Sequence, residues 1–206
     1  MKNKEFINEY FEALQRVGTV IPHPQIDKVI ELLFEVWKDG NSVFAMGNGG
    51  SASTASHFVC DLAKTTTGGG KRRFKVMGLT DNIPLVSAWT NDSGFASIFA
   101  EQLVPWLSKG DVLVGFSVHG GSGESDAGPW SQNMVRAMAM AKERKAKIIG
   151  FSGFNGGAMK EMSDVCIVVP VDSEPLGTPL VESFHVILHH LICTALKAKI
   201  AGAADE

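Results

Sequence analysis

A glycine-rich loop followed by an acid/histidine pair carries the clearest chemistry in this sequence. Residues 43–51 read Val-Phe-Ala-Met-Gly-Asn-Gly-Gly-Ser, an apolar segment that runs directly into glycines and a serine. At the start of a helix, such a loop points backbone N–H groups and a hydroxyl at an anion, most often phosphate. His57 and Asp61 follow four residues apart, on one face of the predicted helix. The spacing predicts an anion-binding loop with an acid/base or metal-binding pair about two helical turns away.

A second loop with similar properties follows a later apolar run. Residues 116–130 read Phe-Ser-Val-His-Gly-Gly-Ser-Gly-Glu-Ser-Asp-Ala-Gly-Pro-Trp. Ser117, His119 and Ser122 can donate hydrogen bonds to phosphate oxygens, and glycines let the backbone approach closely. Taken alone, the loop also fits a glycine–serine turn without function. Because ligands of open α/β sheets bind beyond the carboxyl ends of the strands, we expect both loops to face one crevice.

The elements that must position these loops alternate between strands and helices. Five apolar runs bounded by turn residues predict buried strands at Ser42–Met46, Lys75–Leu79, Val112–Phe116, Ile148–Phe151 and Val165–Val169. Helical spacing predicts helices at Phe6–Val17, Gln25–Lys38, Ala52–Lys64, Ile83–Trp89, Gly94–Leu107, Gln132–Lys145, Gly157–Met162 and about Pro179–Lys199. This alternation predicts a three-layer αβα sandwich with a five-stranded parallel sheet, preceded by two helices.

Composition narrows the class of protein. We expect one domain over residues 1–206, with N-terminal helices in 1–40 and the αβα core in 41–206. A net charge of −3 gives no support for binding nucleic acid. Cys60, Cys166 and Cys193 have no paired spacing, which predicts reduced thiols and the cytoplasm. We expect no association with a membrane, since no long apolar span or signal peptide is evident.

Four segments in this order resemble a known family. They are the loop Gly47–Ala52, the pair Asn91-Asp92 before Phe95, the loop Ser117–Ser122, and the helix that carries Glu182 and His190. The sequence is similar to the sugar isomerase (SIS) domain, and within it to the phosphoheptose isomerase branch. The resemblance covers nearly the whole chain, including the two leading helices.

The resemblance implies an activity and a set of site residues. Enzymes of that branch convert sedoheptulose 7-phosphate to D-glycero-manno-heptose 7-phosphate, as tetramers with sites between subunits and often with zinc. By position, the substrate-binding residues would be Asn48, Gly49, Gly50, Ser51, Asn91, Asp92, Ser117, His119, Ser122 and Glu182. A divalent metal, most often zinc, would be held by His57, Asp61, Glu182 and His190. Asp61 would be the catalytic base for an enediol mechanism, and His190 the acid/base on the oxygens.

Several positions depart from the family pattern, and all of them lie around the substrate. Asp61 stands where the family has glutamate, and Glu182 where it has glutamine. The four predicted metal ligands still suit a divalent ion. Aspartate is shorter than glutamate by one methylene, and misplacing a catalytic base by about 1 Å can cost a hundredfold in rate. Thr65 stands where the family has an arginine after the acid. Val118 and His119 replace small hydroxyl residues of the family. The chain also gains residues at 123–130. The usual polar entry to the last helix is replaced by the segment 177–180.

Three questions stay open at this level. Helical spacing puts Glu182, His185 and His189 close to one stripe, whereas the family selects Glu182 and His190. His185 and His189 are then either support for the ligands or core histidines. Trp130 belongs to the core, or covers a ligand from the inserted loop. The alternatives to an isomerase are a non-catalytic SIS module that binds a sugar phosphate or a protein, and a metal-dependent phosphosugar enzyme of another reaction type.

Overall fold

A five-stranded parallel sheet forms the centre of the protein in a computed structural model that describes residues 2–67, 72–125 and 128–204. Its strands are β1 Ser42–Gly47, β2 Lys75–Gly78, β3 Val112–Phe116, β6 Lys147–Gly153 and β7 Val165–Val169. The order across the sheet is β2-β1-β3-β6-β7. A separate antiparallel ribbon, β4 Glu124–Ser125 and β5 Gly128–Pro129, belongs to the inserted loop.

The strands form where the sequence predicts them because apolar runs suit a sheet covered on both faces. All five residues of β3 are buried, and so are the last five of β1. Side chains alternate between the faces: Val43 and Ala45 join one hydrophobic cluster, while Phe44 and Met46 join the other. The predicted α/β sandwich with a five-stranded parallel sheet is confirmed, with strand ends shifted by one or two residues.

Eight helices and one 3-10 turn surround the sheet in the described part of the chain. The helices are α1 Asn3–Val20, α2 His23–Asp39, α3 Gly50–Lys64, α4 Ile83–Ser93, α5 Ile98–Leu103, α6 Gln132–Glu143, α7 Gly157–Met162 and α8 Gly177–Ala204. Helices α1, α2, α3 and α8 contribute to the larger cluster on one face. The smaller cluster on the other face includes residues of α5, α6 and α7.

The predicted helix over Gly94–Leu107 is wrong in its extent. Gly94 has a φ of 81° and a ψ of 156°, which is outside the helical region, and it ends α4. A 3-10 turn at Phe95–Ser97 follows, and α5 then ends at Leu103. Glycine adopts positive φ without a Cβ clash, so it separates two helices that the apolar spacing alone would join.

Helix α8 combines unusual length with an apolar composition. An 18-residue window within its Gly177–Ala203 segment has a mean hydropathy of 1.3, and half of that window is buried inside the protein. The buried residues include Leu188, Ile192 and Leu196, which belong to the larger cluster. A helix at the centre of a globular core is also long and apolar. The length and composition of α8 therefore agree with its packing in the core.

Candidate active site

The glycine loop, Gly47–Ser51, joins β1 to α3 by a very tight turn. A Cβ on Gly47 would lie 2.5 Å from the carbonyl carbon of Ser51, so only glycine lets the helix start this close to the strand. Gly49 has a φ of 56°, a conformation that favours glycine. The first N–H groups of a helix have no acceptor within the helix, and the buried Ser51 lies in this first turn of α3. A tight glycine turn into a helix start is the geometry typical of an anion-binding loop.

The serine loop, Ser117–Ser122, follows β3 and packs on the start of α7. The Ser117 N–H donates to the Phe151 carbonyl at 3.0 Å, and the Gly120 carbonyl accepts from the Met159 N–H at 2.8 Å. The Ser122 hydroxyl oxygen accepts from the Ala158 N–H at 3.1 Å, which leaves its O–H free to donate. These contacts hold the loop in place. It lies beside the glycine loop because β1 and β3 are neighbouring strands.

One cavity of about 260 Å³ lies between the two loops. It gathers most of the residues predicted to bind substrate, namely Asn48–Ser51, Ser117, His119 and Glu182. Trp130 also lines it, from the end of the ribbon that the inserted loop forms. The prediction that both loops face one crevice therefore agrees with the structure.

Three other residues predicted to bind substrate lie elsewhere. Ser122 lines an adjoining cavity of about 540 Å³, which shares His119 and Trp130 with the first. Asn91 and Asp92 are exposed on α4, where the Asn91 amide donates to the Asp92 carboxylate at 2.7 Å. Neither of them lines the two cavities within the described chain.

Glu182 brings a carboxylate into the cavity from α8. Its carboxyl carbon would lie 2.8 Å from a Cβ on Gly50, so the glycine makes room for it. The carboxylate has no hydrogen-bond or ion-pair partner among the residues that the structure describes. It is therefore available to accept hydrogen bonds from a ligand in the cavity.

A second group of side chains, the acid–histidine cluster, forms where α3 meets α8. It consists of His57, Asp61, His189 and His190, whose donor atoms all lie within 4.8 Å of one another. Asp61 Oδ2 lies 3.3 Å from His190 Nε2, 3.4 Å from His189 Nδ1 and 3.6 Å from His57 Nε2. The structure thus brings together three of the four predicted metal ligands. Glu182, the fourth, is not part of this cluster; His189 takes its place.

His189 has properties that suit a metal ligand. Its side chain is buried, and neither ring nitrogen has a hydrogen-bond partner in the described chain, since the contact with Asp61 is not aligned for one. Burial, together with the positive charges of His190 and His57, lowers its pKa to about 4, and Asp61 opposes this shift. The ring is therefore neutral at physiological pH, the form that binds metal. The sequence contained one signal for this role: His189 lies seven residues after Glu182, close to the same face of the last helix.

His185 is a core histidine, one of the two alternatives that the sequence left open. It is fully buried, contacts the rings of Phe116 and Phe151, and lies 3.4 Å from the Ser152 carbonyl oxygen. Burial lowers its pKa to about 4; the hydrogen bond with Ser152 opposes this shift. His185 is absent from the acid–histidine cluster.

The cavity and the cluster lie along the same pair of helices. Gly50 approaches Glu182, and further along both helices His57 Nε2 lies 3.3 Å from His190 Nε2. Helices α3 and α8 therefore run side by side in the same direction. Eight residues separate Glu182 from His190, which corresponds to about 12 Å along a helix.

Comparison with known proteins places this arrangement in a family. The SIS domain model matches residues 5–153, and the chain belongs to the SIS domain family. It is 32% identical to the phosphoheptose isomerase of Geotalea daltonii over 199 residues, which cover 97% of this chain and 96% of the relative. The structure of the phosphoheptose isomerase GmhA from Neisseria gonorrhoeae matches with a TM-score of 0.78 at 26% identity, over 95% of this chain and 96% of that chain. These matches place the protein among the phosphosugar isomerases, as predicted.

A further relative is more similar in sequence but longer. The lincomycin biosynthesis protein LmbN of Streptomyces lincolnensis is 48% identical over 165 residues. The aligned region covers 80% of this chain and 59% of LmbN. The chain therefore matches only part of that relative.

Proposed function

We propose that the protein isomerises sedoheptulose 7-phosphate to D-glycero-manno-heptose 7-phosphate through an enediol. Relatives named phosphoheptose isomerase, matched over nearly their full length, support a seven-carbon substrate. The observation that carries the proposal is the geometry along α3 and α8. A cavity between two anion-binding loops lies at one end, and an acid with three histidines lies about two helical turns further on.

The phosphate would bind between the glycine loop and the serine loop. Backbone N–H groups at the start of α3, with the hydroxyls of Ser51 and Ser117, supply the donors. A fully extended chain advances about 1.2 Å per covalent bond, so eight bonds from phosphorus to C1 span about 10 Å. This length is close to the helical separation between Glu182 and His190, so an anchored phosphate directs the reacting carbons toward the cluster. Glu182, which lines the same cavity, would accept hydrogen bonds from the sugar hydroxyls nearest the phosphate.

Asp61 and His190 would move the protons. Asp61 would take the proton from C1 of the ketose and return it to C2, while His190 would transfer the hydroxyl proton from O1 to O2. The contacts of Asp61 with all three imidazoles involve Oδ2, which leaves Oδ1 for the carbon-bound proton. About half of the His190 side chain is exposed, so substrate can reach it.

The acid–histidine cluster also fits a divalent ion such as zinc. Three imidazoles and a carboxylate are common zinc ligands, and the buried, unpartnered nitrogens of His189 call for a ligand. His57, Asp61 and His189 would hold the ion. His190, whose Nε2 the proton transfer needs, and Glu182 stay predictions as ligands. When bound, such an ion supplies a Lewis acid for the oxygens of the sugar.

The relative LmbN supports a second candidate substrate. Its 48% identity exceeds that of the phosphoheptose isomerases, and its name assigns it to lincomycin biosynthesis. A phosphorylated sugar of an antibiotic pathway is therefore the alternative, with the same carbonyl shift. The acid–histidine cluster favours either enzyme over a non-catalytic sugar-phosphate sensor.

We further propose a homotetramer with sites between subunits, located in the cytoplasm. The helix α1 exposes the apolar side chains of Phe6, Ile7 and Phe11, which suits burial against another subunit. All three cysteines are free, which suits a reducing compartment.

The test is to incubate the zinc-loaded protein with sedoheptulose 7-phosphate in deuterated water and follow the products by NMR. We expect an aldoheptose 7-phosphate with deuterium on the carbon beside the carbonyl. The variants Asp61→Asn and His190→Gln should abolish both signals, whereas Glu143→Gln, an exposed carboxylate at the end of α6, should change neither. No turnover with zinc bound would refute the heptose assignment, and a panel of other ketose phosphates would then test the second candidate. Turnover without a carbonyl shift would indicate another reaction type.

A further inference from the structure

The side chains of Asn48 and Asn133 form a closed pair of hydrogen bonds beneath the cavity. The Asn133 amide nitrogen donates to the Asn48 carbonyl oxygen at 2.8 Å, and the Asn48 amide nitrogen donates back at 3.0 Å. Asn133 is the second residue of α6 and is completely buried. Two amides can exchange both bonds only in one relative orientation, so each fixes the other.

This pair uses most of the hydrogen-bonding capacity of Asn48. One amide hydrogen and one lone pair are bound by Asn133, and the Ser131 hydroxyl lies 3.4 Å from the same amide nitrogen. The Asn133 oxygen also accepts from the Met134 N–H at 2.9 Å. The side chain of Asn48 is therefore already held by α6, and its remaining lone pair is what it can offer to a sugar hydroxyl.

The pair connects two elements that have no covalent reason to keep a fixed distance. Asn48 lies in the glycine loop, whereas α6 begins after the serine loop and the inserted ribbon. The two residues of the pair are 85 positions apart along the chain, so the restraint on their distance comes from contacts across the fold. A buried amide pair supplies this restraint, because breaking it leaves polar atoms without partners.

We propose that Asn133 is a positioning residue for substrate binding: it fixes the orientation of the Asn48 side chain and holds the glycine loop against the start of α6. The inference rests on the proposed function only in that the cavity binds a phosphorylated ligand. Asn133 is completely buried and does not line the cavity, so its effect reaches the substrate only through the orientation of Asn48.

The experiment compares Asn133→Ala with wild type in two assays. One is the affinity for inorganic phosphate by calorimetry, which needs no turnover, and the other is steady-state kinetics with the sugar phosphate that wild type turns over. We expect the phosphate Kd and the KM to rise about tenfold, with a smaller change in kcat. The matched control is Gln102→Leu, which removes a buried amide that bonds the Leu79 and Ile98 carbonyls. It should lower the melting temperature and leave both constants unchanged.

Two further variants separate positioning from a merely structural role. In Asn133→Asp, the ionised carboxylate accepts from Asn48 but has no proton to donate back, whereas the protonated form has one. Its phosphate affinity relative to wild type should therefore recover as the pH falls. The double variant Asn48→Ala with Asn133→Ala should bind no more weakly than the weaker single variant, because the pair acts as a unit.

The proposal is overturned if Asn133→Ala keeps both constants within about twofold of wild type, or if the losses in the double variant multiply. It is also overturned if the affinity of Asn133→Asp shows the pH dependence of wild type. Should Asn133→Ala fail to fold, Asn133→Asp decides alone. Failure of the proposed function looks different: wild type binds phosphate but isomerises no sugar in the panel, while the phosphate affinities of the variants still test the inference.

Discussion

Replacing Gly47 by alanine tests how closely strand β1 must approach helix α3. The added Cβ would lie 2.5 Å from the Ser51 carbonyl carbon and 2.9 Å from the Ala52 nitrogen. Both atoms belong to the backbone of the first turn of α3, so no side-chain rotation relieves the contact. An ordinary contact of 3.4 Å therefore requires the start of α3 to move by about 1 Å.

This displacement has a cost in stability and a larger one in activity. Overpacking of this kind destabilises a fold by about 1–3 kcal/mol, and each kcal/mol lowers Tm by about 2–4 °C in a domain of this size. We therefore expect Tm to fall by about 2–12 °C. The moved turn carries Ser51 and the N–H groups of the glycine loop, and about 1 Å of misplacement costs on the order of 100-fold in kcat/KM.

Thermal unfolding by circular dichroism and steady-state kinetics measure the two effects. The control is Gly18→Ala in α1, where the Cβ would meet only Phe184 Cζ at 3.8 Å, an ordinary contact. Alanine in a helix interior should raise stability by about 0.5–1 kcal/mol without changing kcat/KM. If Gly47→Ala melts within about 1 °C of wild type and keeps its kcat/KM, the tight turn has no role and the reasoning fails.

Three other perturbations have expected outcomes. His189→Ala should reduce zinc affinity, measured by calorimetry. Loss of a residue that only hydrogen-bonds a metal ligand costs roughly 10–100-fold in affinity, and loss of His189 should cost more. An unchanged affinity would exclude His189 as a ligand. Because the native pKa of His185 is about 4, against 6.5 when unfolded, the unfolded state binds its proton first as the pH falls. The free energy of unfolding in urea should therefore decrease between pH 6.5 and 4, by up to about 3 kcal/mol; His185→Gln should reduce this slope and the exposed His23→Gln should not. Arg144 donates to the carbonyls of Val104 and Leu107 at 2.6 and 3.0 Å, so Arg144→Ala should cost about 1.5–3 kcal/mol in the same assay, and a loss equal to that of Arg144→Lys would contradict this role.

The sequence by itself predicted the sheet and both loops because these features depend on local information. A strand buried on both faces needs a continuous apolar run, such as Val112–Phe116, and that run has few other uses. The tight turn at Gly47 requires glycine and the positive φ of Gly49 favours it, so both features can be recognised from the residue type. Parallel strands then place the two loops at one edge of the sheet, so their shared cavity followed from topology.

The tertiary structure decided which side chains meet across elements. Periodicity fixes the stripes of α8, with Glu182, His185 and His189 close to one of them and His190 rotated away. It does not say which neighbour each stripe faces. Because α8 packs against α3, Glu182 lines the cavity, His185 lies in the core, and His189 and His190 lie next to Asp61.

The amide pair of Asn48 and Asn133 shows the same division over a longer distance. Eighty-five positions separate the two residues, and their types alone suit a turn or a helix start as well as a buried contact. The two residues meet because β1 and β3 are neighbouring strands and α6 packs against the face of the sheet that both strands share. Residue type and spacing thus determined the elements and the chemistry available to them, while contacts between distant elements, which depend on how the whole core packs, determined the site.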